Sequence, residues 1–133
     1  MAGYSRTPLA KKLGIRDGAT LCIIAAPAEY RDWLAPLPPG VSFLARASNC
    51  DLVHLFVTSL KALERDLPKA RAAIKSDGAI WVSWHKKSSK IPTDVTEDVV
   101  RARALRTDLV DVKVCAVTED WSGLKLVVRK HLR

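Results

Sequence analysis

The longest stretch of residues equipped for chemistry is Trp81-Val82-Ser83-Trp84-His85-Lys86-Lys87-Ser88-Ser89-Lys90-Ile91-Pro92-Thr93-Asp94-Val95-Thr96-Glu97. Lys86, Lys87 and Lys90 supply positive charge, and Ser88, Ser89, Thr93 and Thr96 supply hydroxyls. Trp84 and Trp81 offer stacking faces. Together these groups suit an anionic or phosphorylated small molecule, or a protein partner. The candidate ligand contacts are Trp84, Lys86, Lys87, Ser88, Ser89, Lys90, Thr93, Asp94 and Thr96. The plainer reading is a solvated connector in which Asp94 and Glu97 only cap the next helix, at capping-box spacing. Trp121 is a candidate partner contact, because an exposed aromatic is a good anchor. Packing back onto a sheet edge is its other outcome.

Other chemistries lack their residues. A dinucleotide fold needs glycines after its first strand, so that the backbone can approach a pyrophosphate. Here that place reads Ala25-Ala26-Pro27-Ala28-Glu29, and Pro27 has no amide proton. The chain has six glycines. Gly3 lies near the N-terminus, Gly14 reads as a helix end, and Gly18, Gly40, Gly78 and Gly123 read as turns. None remains for a GxGxxG or Walker loop. The second strand ends at Ala45-Arg46, with no acid to hold ribose hydroxyls. His54, His85 and His131 are far apart and carry no metal-ligand spacing. His54 sits in an apolar run and reads as a core histidine with its hydrogen bonds satisfied. No G-x-S-x-G elbow is present. Cys22, Cys50 and Cys115 are odd in number and widely spaced, which reads as reduced thiols in a cytoplasm. Neither a cofactor nor a metal is expected.

The elements that position these groups follow from periodicity. Thr7-Pro8-Leu9 opens a short helix with Thr7 as cap and Gly14 past its end. The apolar run 19–26 reads as a strand buried on both faces. Tyr30, Trp33, Leu34 and Leu37 have helical spacing, and the cluster Pro36-Leu37-Pro38-Pro39-Gly40 ends that helix. Two strands follow at 41–45 and 51–57. The next helix is capped by Thr58 or Ser59, with Leu60, Leu63, Leu67, Ala70 and Ile74 as its stripe. Pro68 should kink or split it, because its ring opposes the carbonyl of Glu64. Asp77-Gly78 should turn the chain into a strand at 79–84. A helix from Asp94 to about Leu105 should bury Val95, Val99 and Ala102. Strands at 109–117 and 124–128 are joined too closely for a crossover, so they form an antiparallel hairpin. The order predicts an α/β three-layer sandwich of about six strands, mostly parallel, in a single domain spanning 1–133 with 1–16 as a helical arm. The junction of the second and third strands at 46–50 leaves no room for a helix.

Bulk properties narrow the class. With 133 residues, 48% hydrophobic and 27% charged, the chain is of ordinary globular composition. No apolar run approaches the roughly 20 residues of a membrane span, and no secretory leader is evident. The net charge of +8 is unevenly placed. Residues 1–16 contribute +4 without an acid, 17–85 balance seven basic against seven acidic residues, and 86–133 hold eleven basic against seven acidic. Such charge favours acidic partners, nucleic acid among them, although no helix-turn-helix, zinc or RNP signature accompanies it.

Ile74-Lys75-Ser76-Asp77-Gly78-Ala79-Ile80-Trp81 resembles the "L-K-P-G-G" turn of class I S-adenosylmethionine-dependent methyltransferases, and the closing hairpin is similar to theirs. Over roughly residues 19–130 this resemblance implies their Rossmann-like architecture. It also implies an atypical methyltransferase as an alternative function, with S-adenosylmethionine near Ala26 and Arg46. The cofactor glycines and the ribose-binding acid of those enzymes have no match here. A second set of residues is similar to a family of short, uncharacterised bacterial proteins with a Rossmann-like fold. They are Gly3-Tyr4-Ser5, Thr7-Pro8-Leu9-Ala10-Lys11-Lys12-Leu13-Gly14, Asp51-Leu52-Val53-His54-Leu55-Phe56-Val57, Trp81-Val82-Ser83-Trp84, Lys86-Lys87, Thr93-Asp94-Val95-Thr96-Glu97, Asp111-Val112-Lys113-Val114-Cys115-Ala116-Val117 and Trp121-Ser122-Gly123-Leu124-Lys125. This resemblance implies a bacterial cytosolic protein. The basic, hydroxyl-rich loop 84–97 at the ligand edge of a sheet without cofactor glycines points to a binding module rather than a conventional enzyme. Such relatives often carry proline where this chain has His85, so the resemblance gives His85 no catalytic role.

Overall fold

The apolar run at 19–26 forms β1 (Thr20–Ile24), and it is the second strand of a six-stranded sheet. The other strands are β2 (Ser42–Phe43), β3 (Cys50–Phe56), β4 (Ile74–His85), β5 (Leu109–Ala116) and β6 (Trp121–Val128). Their order across the sheet is β2-β1-β3-β4-β6-β5. The first four pair in parallel, and β6 runs antiparallel to both β4 and β5. Helices cover both faces, which makes the expected Rossmann-like three-layer sandwich. The computed structural model describes residues 7–46 and 48–133. Gly3-Tyr4-Ser5 and Arg6 lie outside the described residues.

Two apolar clusters divide the layers. Under α3 (Leu60–Ala73) and α4 (Glu97–Ala104) lie Val53, Leu55, Ile80, Val82, Leu124 and Leu126. Under α1 (Leu9–Leu13) and α2 (Tyr30–Leu34) lie Leu21, Leu52, Phe56, Trp81 and Trp121. The N-terminal helix is no detached arm. Leu13 is fully buried, and its carbonyl accepts a hydrogen bond from Trp81 Nε1 at 2.9 Å.

The short return between β2 and β3 has a geometric answer. Phe43 and Leu52 both pair with Leu21, so they stand level on either side of β1. The chain moves sideways by only two strand spacings, about 10 Å, and six residues cover that without a helix. Leu44 packs into the α3–α4 side as the chain crosses.

Several local expectations are corrected. Pro8, not Thr7, takes the cap position of α1, and no side chain caps it. α3 runs unbroken through Pro68. Pro68 and Glu64 both lie on the exposed side, where water can satisfy the carbonyl that lost its donor. Ile74 leaves the stripe of α3 and opens β4. Asp77-Gly78 is not a turn but part of β4, beside a register irregularity between Cys50 and Leu52. A side chain at Gly78 would meet the carbonyls of Cys50 and Asp51 at 3.0 Å. Gly123 is likewise within β6, which begins at Trp121 rather than Leu124. α4 starts later than expected, with Thr96 as its cap, so Val100 and Ala104 face the core while Val99 is half-buried and Ala102 exposed.

Candidate functional site

Ligands of open α/β sheets bind beyond the carboxyl ends of the parallel strands. At that edge β4 ends with Trp84 and His85, and the chain makes one 3₁₀ turn at Lys87–Ser89 before reaching α4. A cavity of about 370 Å³ lies between this loop and the strand end, bounded by Trp84, His85, Lys87, Lys90, Thr93 and Thr96 together with Ile91, Pro92 and Val95. Trp84 and Val95 are buried and form its apolar wall. Lys87 and Lys90 are exposed and form no ion pair among the described residues. Lys90 itself holds a left-handed conformation, φ 61°, which ends the 3₁₀ turn.

The polar residues of the loop are mostly committed to building it. Asp94 does not cap its own helix. Its Oδ1 accepts from the Leu60 amide at 2.7 Å, at the start of α3. Thr93 Oγ1 donates to the Thr58 carbonyl at 2.9 Å and accepts from the Val95 amide. Thr96 caps α4 by accepting from the Val99 amide at 3.2 Å. Ser89 Oγ donates to the Lys86 carbonyl at 2.7 Å and accepts from the Ile91 amide. Lys86, Ser88, Ser89 and Asp94 are not among the residues that bound the cavity. The first turn of α4 carries Glu97 and Asp98, both paired with Arg101, which offsets the positive end of its dipole.

His85 is a site residue that sequence reasoning set aside. Its ring tilts onto Trp121 with centroids 3.8 Å apart. Its Nδ1 is buried without a hydrogen-bond partner among the described residues. Burial pushes its pKa down, and the Asp120 carboxylate partly opposes that shift. The only sequence signal was a histidine at a strand end. Trp121 is 9% exposed, wedged between His85 and an edge-on Phe56, so the packed outcome holds rather than a displayed aromatic.

Behind this edge lies a buried polar chain. Hydrogen bonds of 2.7 Å join Tyr30 Oη to His54 Nδ1 and His54 Nε2 to Ser83 Oγ. The connectivity is that of a nucleophile, a base and an orienting group. Yet His54 and Ser83 have no exposed surface and Tyr30 has 1%. Burial lowers the His54 pKa to about 3 and raises that of Tyr30, so both stay neutral. The network is a satisfied core element, as read for His54, and no substrate reaches it.

The edge beyond β1 and β2 is built differently from a nucleotide cradle. Ala25 follows β1 at φ 58°, a left-handed conformation that costs an alanine about 1–2 kcal/mol and that glycine takes freely. Pro27 presents no amide donor there, and Leu44, Ala45 and Arg46, which follow β2, include no acid to hold ribose hydroxyls. Among the described residues no three His, Cys, Asp or Glu side chains gather as a metal site. No helix among them is long and apolar enough to cross a membrane.

No protein-family model and no curated protein matches this chain. Solved structures do. A protein described as a type 11 methyltransferase from Sulfolobus solfataricus superposes with a TM-score of 0.63 at 14% identity, covering 92% of this chain and 90% of that one. Aeropyrum pernix fibrillarin, with natively bound S-adenosyl-L-methionine, gives 0.59 at 11% identity over 90% of this chain and 73% of its own. The ribosomal protein L11 methylase of Lactobacillus delbrueckii subsp. bulgaricus gives 0.55 at 9% identity, covering 90% and 74%. At such identities the likeness concerns architecture alone, and the architecture is the Rossmann-like fold of the class I S-adenosylmethionine-dependent methyltransferases.

Proposed function

We propose that this chain is a binding module that takes an anionic small molecule, phosphorylated or carboxylated, in the cavity at the carboxyl end of β4. The observation that carries this reading is the pairing of two uncommitted cations, Lys87 and Lys90, with an apolar wall of Trp84 and Val95. A cavity of about 370 Å³ is at the lower end of the range that holds small ligands. Trp84 supplies contact area for a planar or apolar body, and the lysines pair with its charge. The test is a thermal-shift series with AMP, pyrophosphate and citrate at millimolar concentration. At least one should raise the melting temperature, and Lys87→Ala/Lys90→Ala should abolish that rise while leaving the ligand-free melting temperature in place. A rise that survives in the double variant, or no rise with any of the three, sinks the assignment.

A second reading, S-adenosylmethionine binding in the manner of the methyltransferases, is supported by the fold and by the cofactor that the fibrillarin structure holds. The residues of this chain fit it poorly. Ala25, Pro27 and Arg46 replace the glycine, the amide donor and the acid that a nucleotide cradle uses at those places. Isothermal calorimetry with millimolar S-adenosylmethionine and S-adenosylhomocysteine separates the readings. Heat that persists in Lys87→Ala/Lys90→Ala and grows in Arg46→Glu, which supplies an acid for the ribose hydroxyls, supports the cofactor, and no heat removes it.

A further inference from the structure

The two basic segments of the sequence, far apart in the chain, meet on one face of the fold. α1 lies against the β5–β6 end of the sheet. Lys12 Nζ donates to the Ala116 carbonyl at 2.6 Å, and Lys113 Nζ donates to the Lys12 carbonyl at 3.5 Å. Lys113 and Lys125 stand directly opposite each other in the β5–β6 register. Gly14 lies over Lys125, whose Nζ would be 3.7 Å from a side chain placed there. Arg16 and Lys125 line one cavity at the amino edge of the sheet. At the other end Lys86, Lys12 and Lys113 all act on the thiol of Cys115.

These cations are not held in ion pairs, although Asp17 and Asp77 line the cavity beside Arg16 and Lys125. None of Lys12, Arg16, Lys86, Lys113 and Lys125 forms an ion pair among the described residues. Lys12 and Lys113 are held by carbonyls, which orient an ammonium group but do not neutralise it. Of the acids in the cavity with Lys125, Asp51 is already paired with Lys75. Burial, and after it the charges of Lys113 and Arg16, depress the Lys125 pKa. Like charges directly opposed across a strand pair destabilise a sheet. An anion bound over them relieves that repulsion.

We propose that the stripe formed by Lys12, Arg16, Lys86, Lys113 and Lys125 binds the phosphodiester backbone of a nucleic acid. Lys125 is level with Trp81, and Lys86 lies five residues further along, so the stripe runs for about 16 Å at ~3.3 Å per residue. Duplex DNA carries a charge every ~1.7 Å of its axis, so the stripe spans several phosphates rather than one. Lysines and an arginine without accompanying amides or exposed aromatics contact backbone and do not read bases. An acidic protein partner would need an apolar anchor. The exposed Val114 of β5 alternates with Lys113 and therefore belongs to the opposite face.

The test is fluorescence anisotropy with a labelled 16-nucleotide RNA and a 16-base-pair DNA duplex between 50 and 200 mM KCl. With three or four phosphates neutralised and a slope of about −0.7 each for single strands, the RNA affinity falls about 20- to 50-fold across that range. Arg16→Gln/Lys113→Gln weakens binding at 50 mM salt and flattens the slope. Lys61→Gln/Arg106→Gln removes the same charge from α3 and the end of α4, and leaves both unchanged. No anisotropy change at 50 mM salt with tens of micromolar protein overturns the proposal. So does equal loss in the two double variants. Competition by polyglutamate as strong as that by unlabelled RNA overturns it in favour of an acidic protein. Circular dichroism on each variant confirms that the fold is intact. The Lys87/Lys90 cavity is untouched by these substitutions, so either site can fail alone.

Discussion

The buried imidazole of His54 makes the stability of this fold depend on pH already above pH 5, before carboxylates titrate. Its pKa is about 3 in the folded chain against 6.5 for a free histidine, because burial disfavours the charged ring. The folded state therefore refuses a proton that the unfolded state takes up below pH 6.5. Stability from this group is complete above pH 6.5 and is lost as pH falls from 6.5 towards 3. Each pH unit in that window costs about 1.4 kcal/mol, so between pH 7.5 and 5.0 the loss is about 2 kcal/mol. The paired carboxylates Asp51, Asp66, Asp108 and Asp111 have lowered pKa values and add their losses only in stronger acid. His85 is shifted in the same direction as His54 and contributes to the raw pH dependence. A comparison with His54→Gln cancels that contribution. Urea unfolding followed by tryptophan fluorescence at pH 7.5 and 5.0 supplies the four free energies. The variant is weaker at both pH values, because Tyr30 Oη and Ser83 Oγ lose their partner at about 1–3 kcal/mol per unsatisfied group. Its drop between the two pH values should nevertheless be smaller than that of the unaltered chain by about 2 kcal/mol. Equal drops would refute the reasoning, since the proton taken up on unfolding would then not be that of His54.

Gly123→Ala should cost about 1–3 kcal/mol in urea unfolding, because the added carbon meets Val117 Cγ2 at 3.0 Å and the Trp81 ring at 3.1 Å; a neutral result would show that β6 can shift. Asp94→Ala should cost about 0.5–1.5 kcal/mol through the lost hydrogen bond to the Leu60 amide, and Asp94→Asn should recover most of it. Trp81→Phe leaves the Leu13 carbonyl without its donor and should destabilise by about 1–3 kcal/mol, with faster amide exchange in α1 as the specific readout.

Much of the fold was legible because apolar periodicity and burial share one cause. The strands at 51–57 and 79–84 read correctly in their central residues, because β3 and the second half of β4 are buried and almost continuously apolar. What escaped was set by neighbours in space rather than in sequence. Gly78 and Gly123 read as turns, but each is a glycine because another chain segment passes within 3.0 Å of where its side chain would stand. Asp94 had the spacing to cap its own helix, but the amide it satisfies belongs to Leu60. The run of cations after a strand marks the loop beside which a cavity of about 370 Å³ lies. That Lys86 would stand outside the cavity that Lys87 and Lys90 line could not be read from a run of lysines. Nor could the meeting of two basic segments far apart in the chain, with Lys12 on Ala116 across 104 positions, which depends on α1 docking beside β5.

The loop after β4 divides its residues between holding a shape and offering a charge. Thr93, Asp94 and Thr96 spend their side-chain oxygens on Thr58, Leu60, Val95 and Val99, which ties the loop to the starts of α3 and α4. Those bonds lie within the chain itself, so its own residues order the cavity wall and binding need not supply that ordering cost. Lys87 and Lys90 have no such duty among the described residues. Replacing the lysines should therefore weaken binding of AMP, pyrophosphate or citrate and leave urea stability within about 0.5 kcal/mol. Thr93→Val should lower stability and binding together, since it loosens the wall. A double-mutant cycle between Lys90→Ala and Thr93→Val reads the division directly. Additive effects on stability with strong coupling in affinity are expected. Coupling in stability would mean that Lys90 also holds the loop, and that the cation is structural.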